Sequence, residues 1–215
     1  MPDTAAYVER GNKRVFACAV DWPGWCRSGR DEAQALETLA TYADRYRPVA
    51  QAAGLPFPKR IQFSVVDRID GSGGTEFGVP SHATAADALT PSKAEVERLC
   101  AIVSASWKIF DEVVARAPAS LRKGPRGGGR DRDAIVDHVI GAEATIYARK
   151  LGARVAQPAR EDAEAIRAAR EIVLACLRGQ REVETRGNMW PVRYAARRIA
   201  WHVLDHAWEI EDRSD

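Results

Sequence analysis

The chain has 215 residues, of which 46% are hydrophobic and 29% are charged, and its formal net charge is +2. A chain of this length can bury about 70% of its unfolded surface, which predicts one large globular domain or two small ones. The balanced charge gives no strong reason to expect nucleic acid as a partner, and no apolar run approaches the ~18 residues that would predict a membrane span.

The N-terminus and the cysteines indicate a compartment. The first residues, MPDTAAY, lack the basic and then apolar pattern of a secretory signal, so we expect a cytoplasmic protein. The four cysteines (Cys18, Cys26, Cys100 and Cys176) are scattered and contain no C-x-x-C pair. We therefore expect them to be reduced and to act as packing residues.

The first elements in the chain are predicted to be strands. Apolar and β-branched residues favour strands at Ala6–Glu9 and Arg14–Val20, and the Pro-Gly pair within Asp21–Gly24 predicts a turn. Asp31 is a good N-cap for a helix over Glu32–Ala53, which carries an apolar stripe.

One stretch of this region resembles a known family. The run from Phe16 to Leu36 reads FACAVDWPGWCRSGRDEAQAL: an aliphatic strand, an Asp/Pro/Gly turn, a small residue before glycine, and an acidic-Ala-Leu helix start. It is similar to the N-terminal module of HicB-like proteins over about 40 residues. The resemblance implies a small α/β unit, which in antitoxins contacts a partner toxin. The DNA-binding tail usual in such proteins has no counterpart in this sequence.

The middle of the chain predicts two more strands and then a boundary. Clean alternation favours a strand at Arg60–Val66, with a partner strand at Thr75–Val79. The glycines of 71–74 lack a following Gly-Lys-Ser/Thr, so they predict a turn and not a phosphate loop. The aperiodic segment Pro80–Pro91 predicts a domain boundary, giving domains 1–88 and 89–215, and makes His82 an exposed linker histidine in preference to a ligand.

The rest of the chain predicts four helices with helical spacing of apolar residues: Lys93–Arg116, Arg132–Leu151, Glu161–Arg178 and Pro191–Asp212. Their loops favour an antiparallel bundle. The predicted fold class is therefore α+β, with a small N-terminal α/β module followed by an antiparallel four-helix bundle. The basic glycine-rich loop Arg122–Arg130 opens onto a helix, where it either binds an anion or serves as a flexible connector.

The last predicted helix carries two of the four histidines one turn apart. His202 and His206 project from one face at i and i+4, roughly 5–6 Å apart at Cβ, which suits two ligands of one metal ion. Arg193, Arg197 and Glu211 fall near the opposite pole of the helix. If that opposite arc is solvated, the histidine stripe points inward, where buried ionisable groups need a partner or a metal.

His138 on the second bundle helix offers a third imidazole, although a lone histidine on a mostly apolar face is usually a core residue. The pieces Asp137-His138-Val139-Ile140 with Glu143, and His202-x-x-x-His206, resemble the DinB/YfiT-like metal-binding four-helix bundles over residues 90–215. This resemblance implies that His138, His202 and His206 bind a divalent metal, commonly zinc or nickel. It also implies a thiol-dependent isomerase or transferase, a thiol cosubstrate such as mycothiol, and a homodimer.

Three further residues lie on the histidine face of the last helix. Glu209 is the candidate partner of a metal ligand or the proton carrier, Asp205 is a candidate to orient a ligand, and Arg198 is a candidate to balance charge or hold an acidic group of the substrate. An ordinary intrahelical ion-pair ladder of Arg198, Asp205, Glu209 and Arg213 explains them equally well.

Two functional classes remain. The first is a divalent-metal-dependent enzyme of the thiol-dependent transferase, isomerase or hydrolase type that acts on a small molecule. The second is a non-catalytic stress or interaction protein whose HicB-like module binds a protein partner.

Overall fold

The computed structural model describes residues 3–124, 128–182 and 187–214. The strands are β1 (Thr4–Arg10), β2 (Val15–Ala19), β3 (Cys26–Gly29) and β4 (Phe63–Asp70). The helices are α1 (Glu32–Thr41), α2 (Ala43–Ala52), α3 (Gly73–Glu76), α4 (Lys93–Arg116), α5 (Arg132–Ala142), α6 (Ala148–Lys150), α7 (Ala163–Leu177) and α8 (Val192–Asp212). A 3-10 turn spans Ala85–Ala88, and a π-helical segment, Glu143–Tyr147, joins α5 to α6. The α+β class predicted from the sequence is confirmed at this level.

The four strands form one mixed sheet in the order β3-β2-β1-β4. β1 runs antiparallel to β2 and parallel to β4, so the chain must cross over between β3 and β4, and α1 and α2 provide this crossover. α1 packs on one face of the sheet, where Trp25 donates a hydrogen bond to the carbonyl of Leu39 at 2.9 Å, and α2 packs against α4. The other face packs against α8, where Phe16 and Trp201 meet edge to face at 6.5 Å.

α8 is the central helix of the molecule. It packs against α4 and α5 and carries Trp201 onto the sheet. One hydrophobic cluster includes Leu39 from the N-terminal half and Val203 from α8, so the two predicted domains share core contacts. The boundary itself, within Pro80–Pro91, stays a prediction.

The predicted long helices are present, and the second is modified. α4 has the predicted bounds, while α7 and α8 begin within two residues of prediction. The predicted helix Arg132–Leu151 consists of α5, the π-helical segment and α6. A π-helical segment inserts an extra residue into a helical turn and is not visible in apolar periodicity.

Two predictions about the N-terminal half are wrong in part. The helix expected over Glu32–Ala53 is divided at Tyr42, whose ring packs against Trp208 of α8 at 5.0 Å; this contact comes from far along the chain. β4 lies three to four residues later than expected.

No strand forms at Thr75–Val79, and the one-turn helix α3 begins within the glycine cluster instead. The buried carboxylate of Glu9 on β1 explains this difference. It accepts hydrogen bonds from Thr75 Oγ1 at 2.5 Å and from the amide of Ser81 at 3.0 Å, which fixes the segment as a turn against the sheet.

The expectation of four reduced cysteines is also wrong for one pair. Cys18 and Cys26 form a disulfide, because the β2–β3 register places them directly opposite each other, with their Cα atoms 4.0 Å apart. Hairpin register, not C-x-x-C spacing, brings them together. Cys100 and Cys176 are buried free thiols, as expected.

None of the described helices is long and apolar enough to cross a membrane.

Candidate metal centre

Three histidines converge where α5 meets α8. His138 comes from α5, and His202 and His206 come from successive turns of α8. Their ligand nitrogens all lie within 4.8 Å of one another, and Nε2 of His138 is 3.1 Å from Nε2 of His202. Two nitrogens bound to one tetrahedral zinc at about 2.0–2.1 Å would lie about 3.3 Å apart. The observed spacing is therefore close to that of two ligands of one ion.

His206 is held in one orientation by a carboxylate. Its Nδ1 lies 2.8 Å from Oε2 of Glu209, and Oε1 of Glu209 accepts a hydrogen bond from Arg213 at 2.7 Å. Because an ionised carboxylate only accepts hydrogen bonds, Nδ1 must carry the proton, which leaves the Nε2 lone pair of His206 available. The hydrogen bond from His206 lowers the pKa of Glu209, so this carboxylate stays ionised. A carboxylate behind a ligating histidine is a common feature of metal sites.

His202 is the most buried of the three, with 8% of its surface exposed. Burial is the main cause that lowers its pKa well below the usual range, and burial likewise lowers the pKa of His138. Both imidazoles are therefore neutral near pH 7, which is the state that binds a metal. Within the described ranges, Nδ1 of His202 has no hydrogen-bond partner, so no contact at that nitrogen fixes the tautomer of the ring.

The other two predicted site residues have partners away from the imidazoles. Asp205 forms an ion pair with Arg27 of β3 at 3.1 Å. Arg198 is buried, donates to the carbonyl of Pro80 at 3.0 Å and lies over the ring of Trp201 at 4.6 Å. Of the predicted intrahelical ladder, the described contacts contain the Glu209–Arg213 pair. The roles assigned to Asp205 and Arg198 stay predictions.

Asp137 and Glu143, which lie near His138 in the sequence, contact residues outside the histidine cluster. Glu143 is buried and accepts a hydrogen bond from the indole of Trp107 at 2.7 Å, with Arg170 at 3.4 Å. Asp137 pairs with Arg160 at 2.7 Å. Glu143 therefore links the π-helical segment to α4 and α7, and Asp137 forms an exposed pair with the loop before α7.

Sequence reasoning missed one residue beside the cluster. Tyr147 packs edge-on against the ring of His202 at 5.5 Å, and burial raises its pKa to about 12. It lies in the π-helical segment, whose extra residue per turn shifts the helical face, so a wheel of 100° per residue misplaces it. Trp190 extends this aromatic wall at 5.8 Å from Tyr147.

The basic loop before α5 reaches the same region. The positive charge of Arg130 is among the smaller causes of the lowered pKa values of His138 and His202, after burial and the neighbouring histidines. Residues 125–127 of the predicted loop Arg122–Arg130 lie outside the described residues.

The opposite arc of α8, whose exposure to solvent was the condition for an inward histidine face, is largely covered. Arg197 is 8% exposed and pairs with Asp87, and Arg193 pairs with Glu95. The N-terminal half and the segment around the 3-10 turn cover this arc. The condition therefore does not hold for Arg193 and Arg197, but His202 is buried all the same.

Comparisons with protein-family models, curated proteins and solved structures give no match for this chain.

Proposed function

We propose that His138, His202 and His206 bind one divalent metal ion, zinc or nickel, and that the protein is a metal-dependent enzyme of the thiol-dependent transferase or isomerase type. The metal proposal rests on the convergence of three imidazoles from two helices. The Nε2 atoms of His138 and His202 lie 3.1 Å apart. For the fold, we propose that a HicB-like module is followed by a DinB-like four-helix bundle. The order of the sheet and the four long helical segments supports it.

The donor set fits such an ion. Three imidazole ligands from facing helices would leave at least one further position for water or substrate. A bound divalent ion acts as a Lewis acid and lowers the pKa of a bound water or thiol.

The protein's own groups prepare this site. Glu209 fixes the tautomer and orientation of His206, and Arg213 fixes Glu209 from the opposite side. The packing of Tyr147 against His202 excludes water from one side of that ring. Arg130 adds positive charge at the edge, which favours an anionic thiolate or acidic substrate.

Metal content tests the first half of the proposal. We expect one zinc or nickel ion per chain by elemental analysis after reconstitution, and loss of that ion in the variants His138→Ala, His202→Ala and His206→Ala. The fourth histidine gives a matched control. His82 lies beside the carbonyl of Asp70, so His82→Ala should retain the metal. Failure to load either ion, or full metal content in His202→Ala, would overturn the assignment.

Activity tests the second half. Metal-loaded protein should transfer or isomerise a small electrophile in the presence of a low-molecular-weight thiol such as mycothiol, and His202→Ala should abolish this turnover while His82→Ala preserves it. Turnover that is equal in metal-free and metal-loaded protein would contradict the enzymatic proposal and leave the metal result standing.

A further inference from the structure

A cleft of about 720 Å³ lies on the side of α8 away from the histidines. Arg193 and Arg197 reach it from α8, about 140–180° around the helix from His202. Its other walls come from the sheet, from α4 and from the segment around the 3-10 turn. Clefts of 300–1,000 Å³ are the usual size for small-molecule sites.

A β-bulge forms the sheet wall. Ala6 pairs with Val65 and Tyr7 pairs with Asp67, so Val66 has no partner on β1. The extra residue turns β4 at this point, and both Val66 and Asp67 line the cleft. Bulges of this kind commonly re-aim a side chain at a binding site.

The rim of the cleft is apolar and exposed. Val20, Val66 and Leu89 are 37%, 59% and 64% exposed, and all three line the cleft. They come from three separate segments, so the apolar surface is a property of the cleft and not of one strand. It offers contact to the apolar body of a ligand.

Two ion pairs close the inner end and are not available for binding. Arg197 and Asp87 form two hydrogen bonds of 2.7 Å, and both side chains are buried. Arg193 pairs with Glu95 at 2.7 Å. These four charged side chains therefore form two closed pairs.

Three charged groups at the cleft form no ion pair in the described part of the chain, although the charge of Arg98 also contributes to the lowered pKa of Glu95, one turn earlier on α4. Arg98 on α4 lies over the ring of Trp22 at 4.8 Å. Asp21 follows β2, and Asp67 lies on β4. Throughout ranges 3–124, 128–182 and 187–214, none of the three forms an ion pair. One cation therefore stands on the helix wall, and two carboxylates stand on the sheet wall.

A buried tyrosine forms part of the lining of the cleft. Tyr7 is 1% exposed and lines the cleft, and the guanidinium of Arg197 lies over its ring at 4.7 Å.

We propose that this cleft is a second binding site, separate from the histidines, for a small amphipathic zwitterion of the amino-acid or dipeptide class. The carboxylates of Asp21 and Asp67 receive its ammonium group, the guanidinium of Arg98 receives its carboxylate, and Val20, Val66 and Leu89 contact its apolar side chains. Charges of both signs on the helix and sheet walls, together with an apolar rim, match this arrangement.

Calorimetric titration of the full-length protein with the dipeptide leucyl-phenylalanine tests the proposal. Saturable binding is expected, and N-acetylation or C-terminal amidation of the dipeptide should each weaken it about tenfold or more, because a hydrogen bond to a charged group contributes about 1.5–3 kcal/mol. Absence of binding at millimolar dipeptide, or equal affinity for the three forms, would overturn it.

Substitutions in the cleft test which protein group binds each end of the dipeptide. In Arg98→Gln, C-terminal amidation of the dipeptide should no longer weaken its binding. In the double variant Asp21→Asn/Asp67→Asn, N-acetylation should no longer weaken it. Asp44→Asn is the matched control, since Asp44 pairs with Arg47 on α2 outside the cleft. Unchanged affinity in both cleft variants would refute the assignment. His202→Ala should bind the dipeptide as the wild type does, so this result is independent of the metal centre.

Discussion

The carboxylate of Glu209 provides the sharpest test of how the histidine centre is built. It contacts Nδ1 of His206 and is itself held by Arg213, so it orients a ligand without being one. Replacing Glu209 should therefore weaken metal binding while leaving all three histidines in place. Glu209→Gln keeps an oxygen acceptor but removes the charge, whereas Glu209→Ala removes both.

The expected loss of metal affinity differs between these two variants. Loss of a hydrogen-bonded partner behind a metal ligand typically lowers metal affinity 10–100-fold, or about 1.4–2.7 kcal/mol. Glu209→Gln should lie near the lower limit, because its amide oxygen can still accept the proton of Nδ1. Glu209→Ala should lie near the upper limit, because it frees the imidazole and leaves Arg213 without its carboxylate.

Competition between the protein and a chromophoric chelator for zinc measures the affinity directly. Glu211→Ala is the control on the same helix, since Glu211 pairs with Arg45 of α2 at 2.7 Å and makes no contact with the histidines in the described structure. It should bind zinc as the wild type does. Wild-type affinity in Glu209→Ala would refute the positioning role, and equal losses in Glu209→Ala and Glu211→Ala would show a general effect on α8.

Two further predictions concern stability. Asp87→Ala should lower the free energy of unfolding by about 3–5 kcal/mol in urea denaturation, because it leaves the buried guanidinium of Arg197 without a partner, and Asp44→Ala at an exposed pair should change it by less than about 1 kcal/mol. An equal loss in the two variants would contradict this reasoning. The hydrogen bond from Arg68 lowers the pKa of Glu32 to about 2, so the stabilisation from this carboxylate should be complete above pH 4.5 and disappear as the pH falls toward 2. Glu32→Gln should lack that part of the acid dependence, and identical acid profiles for variant and wild type would show that the pair contributes nothing.

The sequence carried enough information for the long helices, because their signals are local. Ser92 caps α4, its side chain accepting the amide hydrogen bond of Glu95, and apolar residues at helical spacing follow. The same holds for α8. Elements fixed by distant contacts were not predictable: Glu9 folds the segment around Thr75, and Trp208 packs at the break between α1 and α2. Neither partner lies within the window that a periodicity argument examines.

The candidate ligands show the same division. The i, i+4 spacing of His202 and His206 is local and predicts a shared face. Their approach to His138 depends on how α5 packs on α8, which the sequence indicated only through a resemblance. The position of Tyr147 depends on the π-helical segment, and the disulfide of Cys18 depends on strand register. Both are set by tertiary structure.

The surroundings of α8 bear on why its histidines lie where they do. Ionisable side chains on a helix covered from both sides must be neutralised, and its acidic and basic residues are matched by protein groups: Arg197 by Asp87, Arg193 by Glu95, Asp205 by Arg27. The imidazoles of the histidine cluster instead contact one another, and the carboxylate of Glu209 orients the ring of His206. Packing alone would be served better by apolar side chains at these positions. Apart from Arg198, whose partners are the carbonyl of Pro80 and the ring of Trp201, the other charged residues of this helix pair with charged protein groups. This contrast supports the proposal that the histidines bind a cation.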